Sequence, residues 1–209
     1  MTSPLGGDSG FPVLHVITDD VVIARPGFVD EARAVLARGG TRVALHLRAP
    51  RAHGGTLERL ARALTPGDGH LVVNDRLDVG LAVGAAGVQL AERSLPLGRA
   101  REVAGDLPLG RSVHGVVDLE VEPAADWYVV GTVWASTSHP DRPGAGTELV
   151  EAVAAATPAP IVAIGGLTPA RVGAARAAGA AAVAVLSGIW SARDPAAAAV
   201  GYLSAWSEA

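Results

Sequence analysis

Short apolar runs of strand length recur along this chain about every 20 to 30 positions, each followed by an Ala/Leu/Arg stretch with helical spacing. That alternation marks repeated βα units. A strand covered on both faces reads as a continuous apolar run, and its crossover helix shows the 3.6-residue period. The runs fall at 13–17, 43–47, 71–73, 87–90, 110–113, 127–131, 161–164 and 183–186, which makes eight strands. The spacing predicts helices at 28–38, 56–64, 77–84, 96–104, 116–122, 147–156, 168–178 and 195–206. Several open on cap residues: Thr56, Thr147, Thr168 before Pro169, and Asp194 before Pro195. Eight units in 209 residues fit one α/β domain, a (β/α)8 TIM barrel. A doubly wound sheet carries its glycine loop after the first strand, where this chain reads "TDD"; its glycine loop follows the seventh. Residues 11–209 are expected to form the barrel, and residues 1–10, "MTSPLGGDSG", a disordered leader.

Composition narrows the chemistry. There is no cysteine, so disulfides, thiolate nucleophiles and Cys metal sites are excluded. All 17 basic residues are arginine, so no lysine can form a Schiff base. Net charge is −4 with acids and bases interspersed, which points to neither nucleic acid nor an anionic membrane. No apolar stretch is long enough to span a bilayer. The expected partner is a small molecule, the expected location cytoplasmic, and a homodimer is left open.

In a barrel of this kind the chemistry sits at the carboxyl ends of the strands. "IVAIGGLTP" (161–169) is a strand that stops at two glycines and restarts as a helix, and "VLSGIW" (185–190) repeats the pattern one strand later. Backbone N–H groups at a helix start hold anions, and glycine lets a phosphate oxygen approach. Gly165, Gly166, Ser187 and Gly188 are therefore the expected phosphate ligands, with Gly144 and Gly146 from the loop after strand six. Glycines that merely end strands are the alternative. Asn74 and Asp75 end strand three, where Asp75 is a Mg2+ ligand or only a helix cap. Arg48 ends strand two as an anion contact or a surface ion pair. Gln89, Ser112 and His114 lie at the ends of strands four and five. His46, two residues before Arg48, is a core histidine or a catalytic one. The stretch Thr132 to Gly146 exceeds an ordinary βα loop, and it brings Ser136, Ser138 and His139 as substrate contacts.

In sequence, "ITDD", "LHLR", "VVNDRLDVGLAVGAAGVQL", "GRSVH", "IVAIGGLTP" and "VLSGIW" resemble the thiamine phosphate synthase and TenI family over essentially the whole chain after residue 12. The resemblance implies a TIM barrel that handles a thiazole phosphate. Synthases of the family join it to a pyrimidine diphosphate with Mg2+; TenI proteins aromatise a thiazole carboxylate phosphate by proton transfer. The synthases' Arg-Glu-Lys is here Arg48, Ala49 and Pro50, a second metal aspartate is Ser94, and a loop lysine is His139. With those charges missing, the expected function is a TenI-like thiazole tautomerase that requires no cofactor, an isomerase. The TenI proton-transfer histidine is here Thr132, so His114, with His46 second, is expected to move the proton through water held by Thr132. Two alternatives remain open: a thiamine phosphate synthase, the only reading that needs Mg2+, and a phosphate-binding regulator without catalysis.

Overall fold

Eight strands pair in sequence order, all parallel, and the last closes on the first. They are β1 (Leu14–Ile17), β2 (Val43–Leu47), β3 (His70–Asn74), β4 (Gly87–Leu90), β5 (Leu109–Val113), β6 (Trp127–Val130), β7 (Ile161–Ile164) and β8 (Ala182–Val185). The computed structural model describes Leu5 and residues 10–65, 68–119, 124–135 and 143–209. Around the barrel lie helices α1 (Asp20–Ile23), α2 (Phe28–Gly39), α3 (Gly54–Leu64), α4 (Leu77–Val83), α5 (Leu97–Ala104), α6 (Glu148–Ala156), α7 (Pro169–Ala177), α8 (Ser187–Trp190) and α9 (Pro195–Glu208). The TIM barrel predicted from the spacing is the fold. Among the described residues, no helix is long and apolar enough to cross a membrane.

The differences from the predicted elements are local. The helix predicted over 116–122 is a single 3-10 turn at Val116–Asp118, and residues 120–123 lie outside the described ones. The four-residue helix α1 has no apolar period long enough to be read; Asp19 starts it by accepting the Val22 N–H at 2.8 Å. α3 begins two residues before Thr56, behind His53. Asp194 does cap α9, accepting the Ala197 N–H at 2.9 Å, whereas the Thr147 and Thr168 side chains make no cap bond. Leu5, inside the stretch expected to be a disordered leader, is 1% exposed and packs in the barrel interior.

Two apolar clusters result from alternation along each strand. Outward residues such as Leu45, Val73, Val130 and Val183 meet the helices. Inward residues, among them Ile17, Ala44, Val72, Trp127, Val162 and Ala184, fill the barrel. Trp127 fits because the two preceding strands, β5 and β4, offer glycine: a Cβ at Gly87 would stand 2.8 Å from the indole, and one at Gly110 closer still. The interior also carries polar side chains, His15, His46 and Gln89, each at most 2% exposed. Buried polar groups must find partners inside, and the hydrogen bonds of His46 and Gln89 reach Asn74 and Ser112 near the carboxyl ends of β3 and β5.

Candidate active site

Because every strand is parallel, all eight carboxyl ends open on one face. Thr18, just past β1, ties the first two ends together: its hydroxyl accepts the Arg48 N–H and donates to the Arg48 carbonyl, both at 2.9 Å. The Arg48 guanidinium stays exposed and has no partner among the described residues. Next to it, Asp75 adopts φ 61°, a left-handed conformation that asparagine and aspartate tolerate better than most residues. Its N–H donates to the Gln89 carbonyl at 2.9 Å, and the turn aims its carboxylate at the loop after β4. There Oδ1 accepts the Ala91 N–H at 2.9 Å and the Ser94 hydroxyl, while Oδ2 has no partner among the described residues. Arg111 holds that loop from outside the barrel, donating to the carbonyls of Ala91, Glu92 and Leu95. Arg48, Ala49, Pro50, Asn74, Asp75 and Arg76 line a cleft of about 180 Å3.

Beneath the mouth runs a chain of fixed polarity. An indole N–H can only donate, and that of Trp127 donates to Gln89 Oε1 at 2.7 Å. The Gln89 amide nitrogen then donates to Ser112 Oγ at 3.0 Å, so the Ser112 hydroxyl proton is left to point elsewhere. Ser112 is half-buried at the mouth. Gln89, expected as a substrate contact, lies below it at 2% exposure with both amide ends engaged.

His46 was expected as a second catalytic histidine, but it is 0% exposed and both ring nitrogens are occupied, Nε2 by His15 Nδ1 at 2.8 Å and Nδ1 by the Asn74 amide at 3.2 Å. It cannot touch a molecule in the cleft. Burial lowers its pKa from 6.5 to about 4, only partly opposed by the Asn74 hydrogen bond. Burial, with His46 beside it, holds His15 well below the usual histidine range. His114, by contrast, is exposed; its Nδ1–H donates to the Gly131 carbonyl and its Nε2 lies 3.6 Å from Glu92.

On the opposite side of the mouth, β7 and β8 pair in register, Ile164 with Ala184, so their glycine turns lie side by side. Gly165 and Gly166 take φ 106° and 62°, which a side chain rarely adopts. The loop after β6 leans on them: Val133 and Trp134 donate to the carbonyls of Ile164 and Gly165 at 2.9 and 3.1 Å. Arg171 donates to the Gly166 carbonyl at 2.6 Å and lies over Trp134. Ser187 and Gly188 open α8 before its first internal bond, Ile189 N–H to the Leu186 carbonyl. Gly146 differs from its expected role, since its N–H donates to Val133 O at 2.9 Å and is not free for an anion. Gly144 lies flat on the Val133–Trp134 backbone and serves loop packing. Thr132 is half-buried, with its carbonyl taken by Ala145 N–H at 2.9 Å. Ser136, Ser138 and His139 lie outside the described residues. The two residues that sequence reasoning missed are His15 and Trp127. Their signals were a histidine at an inward position of an apolar strand, and glycines at Gly87 and Gly110 opposite a tryptophan.

The fold and these strand ends define a class: single-chain (β/α)8 proteins with a polar cleft beside the β2 and β3 ends and paired glycine turns after β7 and β8. The family model described as thiamine monophosphate synthase matches residues 14–189, and this chain belongs to that family. It is 39% identical over 194 residues to thiamine-phosphate synthase of Laribacter hongkongensis, covering 90% of this chain and 91% of that one. It is 40% identical to thiamine-phosphate synthase of Methanoculleus marisnigri, covering 89% and 91%. Thiamine phosphate pyrophosphorylase from Pyrococcus furiosus superposes with TM-score 0.77 at 31% identity, covering 94% and 96%. These relatives overturn the expected TenI-like tautomerase: nearly full-length likeness falls to proteins named as synthases, which are transferases and not isomerases. The charges missing at Pro50, Ser94 and His139 are outweighed by likeness over nine-tenths of the chain.

Proposed function

We propose that this chain is a thiamine-phosphate synthase, joining a thiazole phosphate to a pyrimidine diphosphate. The observation that carries the reading is the likeness over nine-tenths of both chains, combined with Arg48, Asn74 and Asp75 on one cleft across the mouth from the glycine turns. In the reaction the thiazole nitrogen attacks the carbon that bears the diphosphate; a C–N bond forms, the C–O bond breaks, and the electron pair leaves on diphosphate. The chain's task is to align the two heterocycles and to meet the departing charge with groups already in place. The Gly165–Gly166 and Ser187–Gly188 turns hold the thiazole's phosphate, while Arg48 and the Ser112 hydroxyl face the diphosphate.

Mg2+ is the family's implied cofactor, and the residues fit it only in part. Among the described residues no cluster of three His, Cys, Asp or Glu side chains converges on one point. Asp75 Oδ2 would supply one oxygen to the ion, a hard cation that takes oxygen ligands. Mg2+, when bound, neutralises charge on the leaving group. Asp75 would hold it through Oδ2, while Ser94 and the Ala91 N–H fix Oδ1 against the loop after β4. The test is direct: purified protein, thiazole phosphate, the pyrimidine diphosphate and Mg2+, with thiamine phosphate and free diphosphate followed together. Equimolar appearance of both supports the reading. Binding of both substrates without turnover refutes it.

A further inference from the structure

The barrel interior holds a row of three side chains, His15, His46 and Asn74, that starts at a backbone carbonyl and ends in the cleft. His15 Nε2 lies 3.2 Å from the Pro12 carbonyl, His15 Nδ1 lies 2.8 Å from His46 Nε2, and His46 Nδ1 lies 3.2 Å from the Asn74 amide oxygen. Both rings are wholly buried, and neither forms an ion pair with an acid among the described residues. Each is therefore neutral near pH 7 and carries one ring proton.

One proton per ring fixes the row from its anchored end. A carbonyl only accepts, so His15 bears its proton on Nε2 and donates to Pro12. His15 Nδ1 is then bare and accepts, which places the His46 proton on Nε2. His46 Nδ1 is bare in turn. A bare nitrogen facing an amide oxygen is two acceptors in a buried place, which leaves both without a partner. Turning the amide by 180° exchanges its ends and resolves the conflict, because NH2 then donates to His46 Nδ1. We propose that the His15–His46 pair sets the polarity of Asn74, so that its amide oxygen faces the cleft as a hydrogen-bond acceptor for an N–H group of the heterocyclic substrate. His15, remote from the cleft, is a positioning residue.

The Trp127–Gln89–Ser112 chain supplies the contrast. It is anchored by an obligate donor and delivers a free hydroxyl proton at the mouth, whereas the histidine row is anchored by an obligate acceptor and delivers an oxygen. A donor and an acceptor are thus presented from different strands of one barrel, suited to a substrate with an anionic end and an N–H edge. The assignment of that substrate rests on the synthase reading. The placement of the protons does not.

The test therefore reads the protons first. In 15N-labelled full-length protein at pH 7, the ring nitrogens of His15 and His46 should both appear in the Nε2–H form. A His46 carrying its proton on Nδ1, or on both nitrogens, overturns the proposal whatever the protein catalyses. His15→Gln preserves the polarity, since its amide NH2 donates to Pro12 and its oxygen accepts from His46; His46 should remain Nε2–H. His15→Phe removes the acceptor, and His46 should move its proton to Nδ1, toward Asn74. In thiamine-phosphate synthesis His15→Phe should raise KM for the pyrimidine diphosphate by about tenfold with a smaller change in kcat, and His15→Gln should restore it. Equal KM values in folded His15→Phe and His15→Gln would refute the role of Asn74 polarity while leaving the synthase activity intact. If His15→Phe does not fold, the wild-type and His15→Gln spectra still decide the proton placement.

Discussion

Lowering the pH from 7 to 5 should cost this fold about 2 kcal/mol through His46, with His15 adding to the loss in the same direction. Burial lowers His46 from 6.5 to about 4 in the folded chain and holds His15 well below the usual histidine range. The sign follows from which state takes the proton. Above pH 6.5 both states are neutral, and the burial of the rings costs nothing in protonation. As pH falls below 6.5 the unfolded chain binds protons that the folded one refuses, so stability declines by about 1.4 kcal/mol per pH unit per histidine until the folded value is reached. At pH 5 that is about 2 kcal/mol for His46, whose folded value lies near 4. His70, half-buried and also lowered, adds a smaller part in the same direction. Urea unfolding at the two pH values, followed by tryptophan fluorescence, measures the loss; with a slope of about 2 kcal/mol per molar the midpoint should drop by at least about 1 M. The His15→Gln, His46→Gln double variant should lose most of that pH dependence. A midpoint that is the same at pH 7 and pH 5 would mean that the row is solvated or already protonated, and the burial argument would fail.

Asp75→Asn should lower thiamine phosphate formation by about 10²-fold or more and weaken its Mg2+ dependence, checked by initial rates across a Mg2+ titration, because Oδ2 of that carboxylate has no partner among the described residues. Ser94→Asp sets a second carboxylate against Asp75 Oδ1 and should lower the Mg2+ concentration for half-maximal rate by about tenfold while reducing Tm in metal-free buffer through like-charge repulsion. Gly166→Ala puts a Cβ 2.6 Å from the Ala135 carbonyl at φ 62°, and should cost about 2 kcal/mol in urea unfolding and raise KM for thiazole phosphate more than for the pyrimidine diphosphate. Trp127→Phe leaves Gln89 Oε1 buried without its donor and should cost about 1–3 kcal/mol, read by the same unfolding assay.

The sequence by itself determined the barrel and the location of its mouth. Eight apolar runs with helical spacers admit little else, because parallel strands covered on both faces must be apolar throughout and must be separated by crossovers. The same local logic located Arg48, Asn74, Asp75, Ser112 and the glycine turns, since each stands at the end of a strand whose limits were readable within a residue or two. What only the tertiary structure decided is which side chains meet. Gln89 and His46 were legible as strand-end polar residues, yet their burial depends on which way each strand faces and on what the neighbouring strand offers at the same level. The Gln89–Trp127 bond joins residues 38 apart and the His15–His46 contact residues 31 apart. Neither separation has a sequence period, because barrel closure and register create the contact. Ser94 makes the same point from the other direction. Read along the chain it is a missing carboxylate, but in the folded protein it is the hydroxyl that holds Asp75 Oδ1 against the loop after β4.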